Sequence, residues 1–308
     1  KDTHGRLDIT EDPQAELLLA QAKHKPSVLP VVNNVHNDVW DGAMADGLLL
    51  DPAARQALIA NLVRLAKNRG YAGYVFDLEN MSPAAKAQYP LFMAQARAAL
   101  QPLGREVWAT APFADDEFPM RALQASTDTV VLMAYDQHWG TGDPGSIGGQ
   151  DWFEDKVDDR LDHMDPQRTI VALGSYGYDW TLKDAKGKGH ADTVTFHEAT
   201  QTAHASDGQV AMDPASLNPH FAYADENDRR HEVWFLDAPA MFNQIKVTDP
   251  WRPRGYGLWR LGAEDPGVWS LMDHAYGQVS PAELSDLAPS DDVDFDGTGE
   301  VLHVSATP

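Results

Sequence analysis

Gly73-Tyr74-Val75-Phe76-Asp77-Leu78-Glu79-Asn80 is the stretch on which the reading of this chain turns. Small and apolar residues run into two carboxylates spaced i, i+2. A strand alternates its faces, so Asp77 and Glu79 are expected on one side, from neighbouring pleats. Two acids at the end of a buried strand repel, which pushes one pKa up. A raised carboxyl pKa is what a general acid needs near neutral pH. A strand ending in an acidic, solvated loop would give the same letters, so this motif alone leaves both readings open.

The same pattern repeats along the chain. Apolar runs at 28–34, 73–79, 106–112, 129–136, 169–178, 232–237 and 255–259 read as strands. Helical spacing at 51–68, 82–100, 119–125, 152–163, 238–244 and 266–274 separates them. Alternation of this kind predicts a parallel sheet with crossover helices. Most strands end in polar or aromatic residues: Asn33 and Asn34, Asp77 and Glu79, Tyr135 and Asp136, Tyr176 and Tyr178, Trp259. Catalytic groups of a (β/α)8 TIM-like barrel sit at those ends. An open doubly wound sheet would usually carry a Gly-rich phosphate loop after its first strand, and none is present. The expected fold is therefore an α/β barrel over residues 1–278. Seven strands are countable, and the first barrel strand is not identified. The polar stretch 181–230 reads as a small insertion between strands six and seven, with 221–228 and 230–235 able to pair as a hairpin. Beyond residue 278 an acidic, Pro-containing run (279–308) reads as a linker.

Composition narrows the function classes. The 308 residues are 43% hydrophobic and carry no cysteine, which excludes disulfides and thiolate metal sites. No run of 18 apolar residues is present, so no membrane-spanning segment is expected. A net charge of −23 disfavours nucleic acid and anionic lipid as partners. Such a surface serves solubility, and it would also attract a polycation such as a partly deacetylated amino-sugar polymer. Asp292, Asp294, Asp296 and Gly297 mimic the start of a calcium loop, but position twelve is His303 and no flanking helices are evident. The 12 histidines show no metal-ligand spacing, so neither a metal nor another cofactor is expected.

Taken together, these residues resemble glycoside hydrolase family 18, the chitinase-like family, over about residues 28–275. Its D-G-x-D-x-D-x-E signature aligns with Ala72-Gly73-Tyr74-Val75-Phe76-Asp77-Leu78-Glu79, with Ala72 and Val75 in place of the first two Asp. Its M-x-Y-D motif matches Met133-Ala134-Tyr135-Asp136, and the Trp closing the last barrel strand matches Trp259. Segments such as Leu173-Gly174-Ser175-Tyr176-Gly177-Tyr178-Asp179-Trp180 are similar to a bacterial subset fused to a polysaccharide deacetylase and a family 2 glycosyltransferase. The resemblance implies an extracytoplasmic bacterial module acting on a GlcNAc-containing glycan.

It also implies substrate-assisted catalysis, in which the 2-acetamido oxygen attacks the anomeric carbon and only one protein acid is needed. Glu79 would be that acid, Asp77 would hold the acetamide N–H, and Tyr135 would donate to the acetamide oxygen. Met133 would form the pocket floor, Asp136 would bind a sugar hydroxyl, and Trp259 would stack beneath a sugar. Asn33, Asn34, Tyr178, Asp179 and Trp139 are weaker candidates for sugar contacts, with loop or packing roles equally open. The missing inner Asp residues keep a non-catalytic, lectin-like module as an alternative. Peptidoglycan or an N-glycan is the alternative substrate.

Overall fold

The computed structural model describes residues 7–37, 39–183 and 189–272. The chain divides into two units, Lys1–Leu132 and Met133–Pro308. Early in the first unit lie α1 (Pro13–Gln21), β1 (Val31–Asn33), the short antiparallel pair β2 (Val35–His36) and β3 (Val39–Trp40), then α2 (Gly42–Leu50) and α3 (Pro52–Arg69). β4 (Gly73–Asp77), α4 (Pro83–Leu100), β5 (Glu106–Pro112) and α5 (Met120–Ser126) follow, and β6 (Thr129–Ala134) spans the division. The second unit continues with α6 (Gln150–Leu161), β7 (Thr169–Gly174), β8 (Tyr176–Thr181), β9 (His190–Thr195), α7 (Phe196–Ala205), β10 (Ala211–Met212), β11 (Pro219–Ala224) and β12 (Arg230–Phe235). It closes with α8 (Ala238–Thr248), β13 (Gly255–Trp259) and α9 (Gly267–Met272).

Six strands form one sheet in the order β1-β4-β5-β6-β7-β13. β1 with β4, β4 with β5 and β7 with β13 pair in parallel. Strand order follows chain order throughout. A doubly wound sheet reverses direction at a switch point, whereas a TIM-barrel-like sheet does not. Two helices between strands start where the sequence placed caps. Asp51 accepts the Ala53 N–H at 2.8 Å ahead of Pro52, and Ser82 accepts the Ala85 N–H ahead of Pro83. Gly70, at φ +69°, ends α3 in the left-handed conformation that glycine adopts without strain.

One expected barrel strand lies elsewhere. The run 232–237 falls in β12, within a five-stranded antiparallel sheet ordered β10-β11-β12-β8-β9. Its burial alternates along Arg230–Phe235, as in a strand with one covered face, whereas β7 is buried nearly throughout. The run 169–178 likewise divides at Ser175 into β7 of the parallel sheet and β8 of the antiparallel one. The expected β11–β12 hairpin is present, with Phe221 opposite Val233. α7 covers this sheet through Phe196, Ala199 and Ala203, which pack with Phe221, Val233 and Phe235. α1, α2 and α7 went unread in the sequence, and α1 buries none of its residues. The acidic stretch 279–308, including the calcium-like residues 292–303, lies outside the described residues.

Candidate active site

In the first unit, β4 is locked from its helix side. Tyr74 and Phe76 are fully buried there. The Tyr74 hydroxyl donates to the Leu62 carbonyl at 2.8 Å, and the Tyr89 hydroxyl to the Phe76 carbonyl at 3.1 Å. Gly73 allows close pairing with β5, since a Cβ there would lie 2.1 Å from the Glu106 carbonyl oxygen. Val75 and Asp77 take the other face, by the two-residue alternation of a strand.

Asp77 is buried, and its carboxylate accepts the Thr110 hydroxyl at 2.6 Å. Burial raises its pKa, and the Thr110 hydrogen bond opposes the rise. The sequence argument expected repulsion between Asp77 and Glu79 to shift one of them. The shift at Asp77 instead comes from desolvation. Thr110 occupies the β5 position beside Asp77, a role that sequence reading missed. Its sequence signal was the alternation of Glu106, Trp108, Thr110 and Pro112 with Val107, Ala109 and Ala111.

Glu79 lies beyond the last paired residue of β4 and is partly exposed. The buried Asn34 side chain bonds its backbone on both sides: Oδ1 accepts the Glu79 N–H and Nδ2 donates to the Glu79 carbonyl, each at 2.9 Å. The sequence left Asn34 open between a sugar contact and a loop or packing role. Its amide is 1% exposed and spent on backbone. Asn33 pairs with Asp77 in the strand register, and its Oδ1 accepts the Val35 N–H at 3.2 Å.

The second unit gathers Tyr135, Asp136, Tyr176, Tyr178 and Trp259. Asp136 follows β6 with φ +58°, a left-handed conformation that Asp tolerates better than most residues. Its carboxylate accepts the Tyr176 hydroxyl at 2.5 Å and the Tyr178 hydroxyl at 3.2 Å. Burial raises the Asp136 pKa, against the pull of these two hydrogen bonds. Burial also pushes both phenols up, so they stay protonated donors. The Tyr135 ring lies edge-on to Tyr176 at 6.1 Å and stacked with Trp259 at 6.5 Å and 17°. Trp259 is 49% exposed, which excludes a wholly buried core role. Met133 is partly buried on the same face of β6 as Tyr135. Behind these groups Tyr176 and Trp180 pack with Ile147, Leu236 and Ala240.

Asp179 faces away from that cluster. The Asp179 carboxylate accepts the Tyr223 hydroxyl at 2.6 Å and pairs with His231 Nδ1 at 2.8 Å, within the antiparallel sheet. It alternates with Tyr178 and so faces the other side of β8. Trp139 is 52% exposed, with its indole N–H on Thr141. Tyr176 was quoted in the sequence only as a strand-end aromatic, and its bond to Asp136 carried no sequence signal. Among the described residues, no group of three or more His, Asp or Glu is placed to hold a metal ion.

A model of the glycosyl hydrolases of family 18 matches residues 23–264. The chain belongs to that family. This family 18 chain is 27% identical over 283 residues to the cortical fragment-lytic enzyme of Bacillus subtilis (strain 168), covering 88% of itself and 65% of that relative. It thus spans about two thirds of that relative's length. The spore cortex-lytic enzyme SleL of Bacillus megaterium QM B1551 shares its fold, with a TM-score of 0.78 at 24% identity, over 88% of this chain and 64% of that one. A chitinase from Chromobacterium violaceum ATCC 12472 does so with a TM-score of 0.76 at 23% identity, over 87% and 86%. Among the described residues, no helix is long and apolar enough to cross a membrane.

Proposed function

We propose that this chain is a retaining glycosidase that cleaves β-linked, GlcNAc-containing polysaccharide by substrate assistance. Glu79 protonates the glycosidic oxygen as the substrate's acetamido oxygen attacks the anomeric carbon, forming a cyclic oxazolinium and releasing the leaving sugar. The Asp77 carboxylate accepts the acetamide N–H and offsets the developing positive charge. Tyr135 donates its hydroxyl to the acetamide oxygen. Glu79, now a carboxylate, takes a proton from water as that water opens the ring and restores the original configuration. Trp259 offers an exposed aromatic face to a sugar, and Asp136, held by Tyr176 and Tyr178, accepts from a sugar hydroxyl.

The observation that carries this reading is the buried Asp77, hydrogen-bonded by a neutral hydroxyl, two residues before an acid that lies beyond the strand. A hydrogen-bonded carboxylate suits a charge-stabilising role, and a partly exposed one suits proton exchange with water. The presence of Glu79 favours this over the lectin-like alternative. Peptidoglycan is the second substrate, favoured by likeness to a protein named for lysis of cortical fragments. An extracytoplasmic bacterial setting, with linked deacetylase and glycosyltransferase modules, belongs to the same proposal.

Glu79→Gln tests it. The amide keeps the shape and has no proton to give. Hydrolysis of chitin oligomers, poly-GlcNAc and peptidoglycan fragments is expected to fall by about 10²-fold or more, with glycan binding retained. Near-wild-type turnover by the variant on every glycan that the wild type cleaves would remove Glu79 from the acid role.

A further inference from the structure

We infer that Asn34 is a positioning residue for Glu79, fixing the backbone from which the proposed acid projects; this rests on the reading of Glu79 given above. The parallel ladder of β1 with β4 ends at the pair Asn33–Asp77. Glu79 lies past it, where main-chain pairing no longer sets its dihedrals. The Asn34 side chain takes over that task. Its Oδ1 accepts the Glu79 N–H and its Nδ2 donates to the Glu79 carbonyl, both at 2.9 Å. A side-chain amide thus supplies the two bonds that a neighbouring strand would have made.

The other Nδ2 hydrogen goes to the Asp41 carbonyl at 2.9 Å, and the Asp41 N–H returns to the Asn34 carbonyl at 2.9 Å. Both amide donors and the amide oxygen are therefore engaged. Burying an amide costs free energy unless its polar atoms are satisfied, and Asn34 is almost wholly buried with all of them satisfied. The geometry is specific to asparagine. Aspartate lacks the donor and adds a charge, and glutamine is one methylene longer.

Neighbouring contacts hold the same segment. Asn80 adopts φ +55° directly after Glu79 and donates to the Trp40 carbonyl at 3.3 Å. Gly42 lies so close that a Cβ would come within 2.2 Å of the Asn80 carbonyl oxygen. Asn34 therefore holds the Glu79 backbone directly, Asp41 holds Asn34, and Trp40 and Gly42 lie against Asn80. With Glu79 so held, its Cα–Cβ vector is set by Asn34, directly after β1, and by the residues leading into α2.

A mispositioned acid harms the substrates that need protonation most. The test compares kcat/KM, which reports on steps through glycosidic cleavage, for chitotetraose and for 4-nitrophenyl chitobioside. The sugar leaving group requires a proton, and the nitrophenolate requires little help. Asn34→Ala is expected to lower kcat/KM for chitotetraose on the order of 10²-fold, the scale of a roughly 1 Å misplacement. The aryl glycoside is expected to lose less than about a tenth of that factor. Asn34→Asp, which keeps shape and acceptor but loses the donor, is expected to show the same selective loss. Amide hydrogen exchange at Glu79 should quicken in Asn34→Ala, which loses the acceptor of the Glu79 N–H.

Equal losses on both substrates, or none, in a folded variant would overturn the assignment. Failure of both variants to fold would also overturn it, making Asn34 a stability residue. Glu79→Gln run beside them separates the two ideas. If it spares chitotetraose, the acid reading fails. If it shows the selective loss and the Asn34 variants do not, only the positioning role fails.

Discussion

At the scale of single residues, the Asp77–Thr110 hydrogen bond governs the acidic limb of the pH profile. Burial favours the neutral carboxyl, and the Thr110 hydroxyl favours the carboxylate. If the ionised form is the one that works, activity falls as pH drops through the Asp77 pKa. Thr110→Val removes the opposing bond and keeps the volume, so that pKa rises further. The acidic limb of kcat/KM should then move to higher pH, while the basic limb stays. An unmoved acidic limb would mean that Asp77 does not titrate in the productive complex. Asp77 and Glu79 were legible because strand alternation and the motif place carboxylates at a strand end. Thr110, Asn34 and Tyr176 act through partners 33, 45 and 40 positions away in sequence. Such pairings depend on strand register, which no local pattern specifies.

At the scale of elements, α8 carries a second buried acid. Asp237 caps the helix by accepting the Ala240 N–H at 2.8 Å. Burial, with Asp265 nearby, pushes its pKa from 3.8 up to about 7. A carboxyl whose folded pKa is raised stabilises the fold fully below about pH 4, and this stability is lost as pH rises through about 7. The rise corresponds to on the order of 4 kcal/mol. Asp237→Asn keeps a good cap and removes the ionisation. Between pH 5 and 8 the melting temperature of the wild type should fall more steeply than that of the variant. Parallel curves would show that Asp237 is already ionised in the fold. Asp51-Pro52 and Ser82-Pro83 announce two helix starts, whereas α1, α2 and α7 were not read. β12 was misassigned because an apolar-rich strand end says little about which sheet receives it, and only its alternating burial separates the two.

For the whole molecule, the order of the parallel sheet was readable because strand and helix periods alternate without a phosphate loop. The five-stranded sheet was only half readable. Its β11–β12 hairpin is local, whereas β8 joins it from residues that continue a barrel strand. The proposed chemistry is tested by one property of the reaction. Attack by the substrate's own acetamido oxygen, then by water, inverts the anomeric carbon twice. Proton NMR of the anomeric signals, taken in the first minutes of chitotetraose cleavage, records the configuration before mutarotation. The β-anomer is expected to appear first and the α-anomer only later, at the spontaneous rate. A first product in the α configuration would mean direct attack by water and would contradict substrate assistance in this chain.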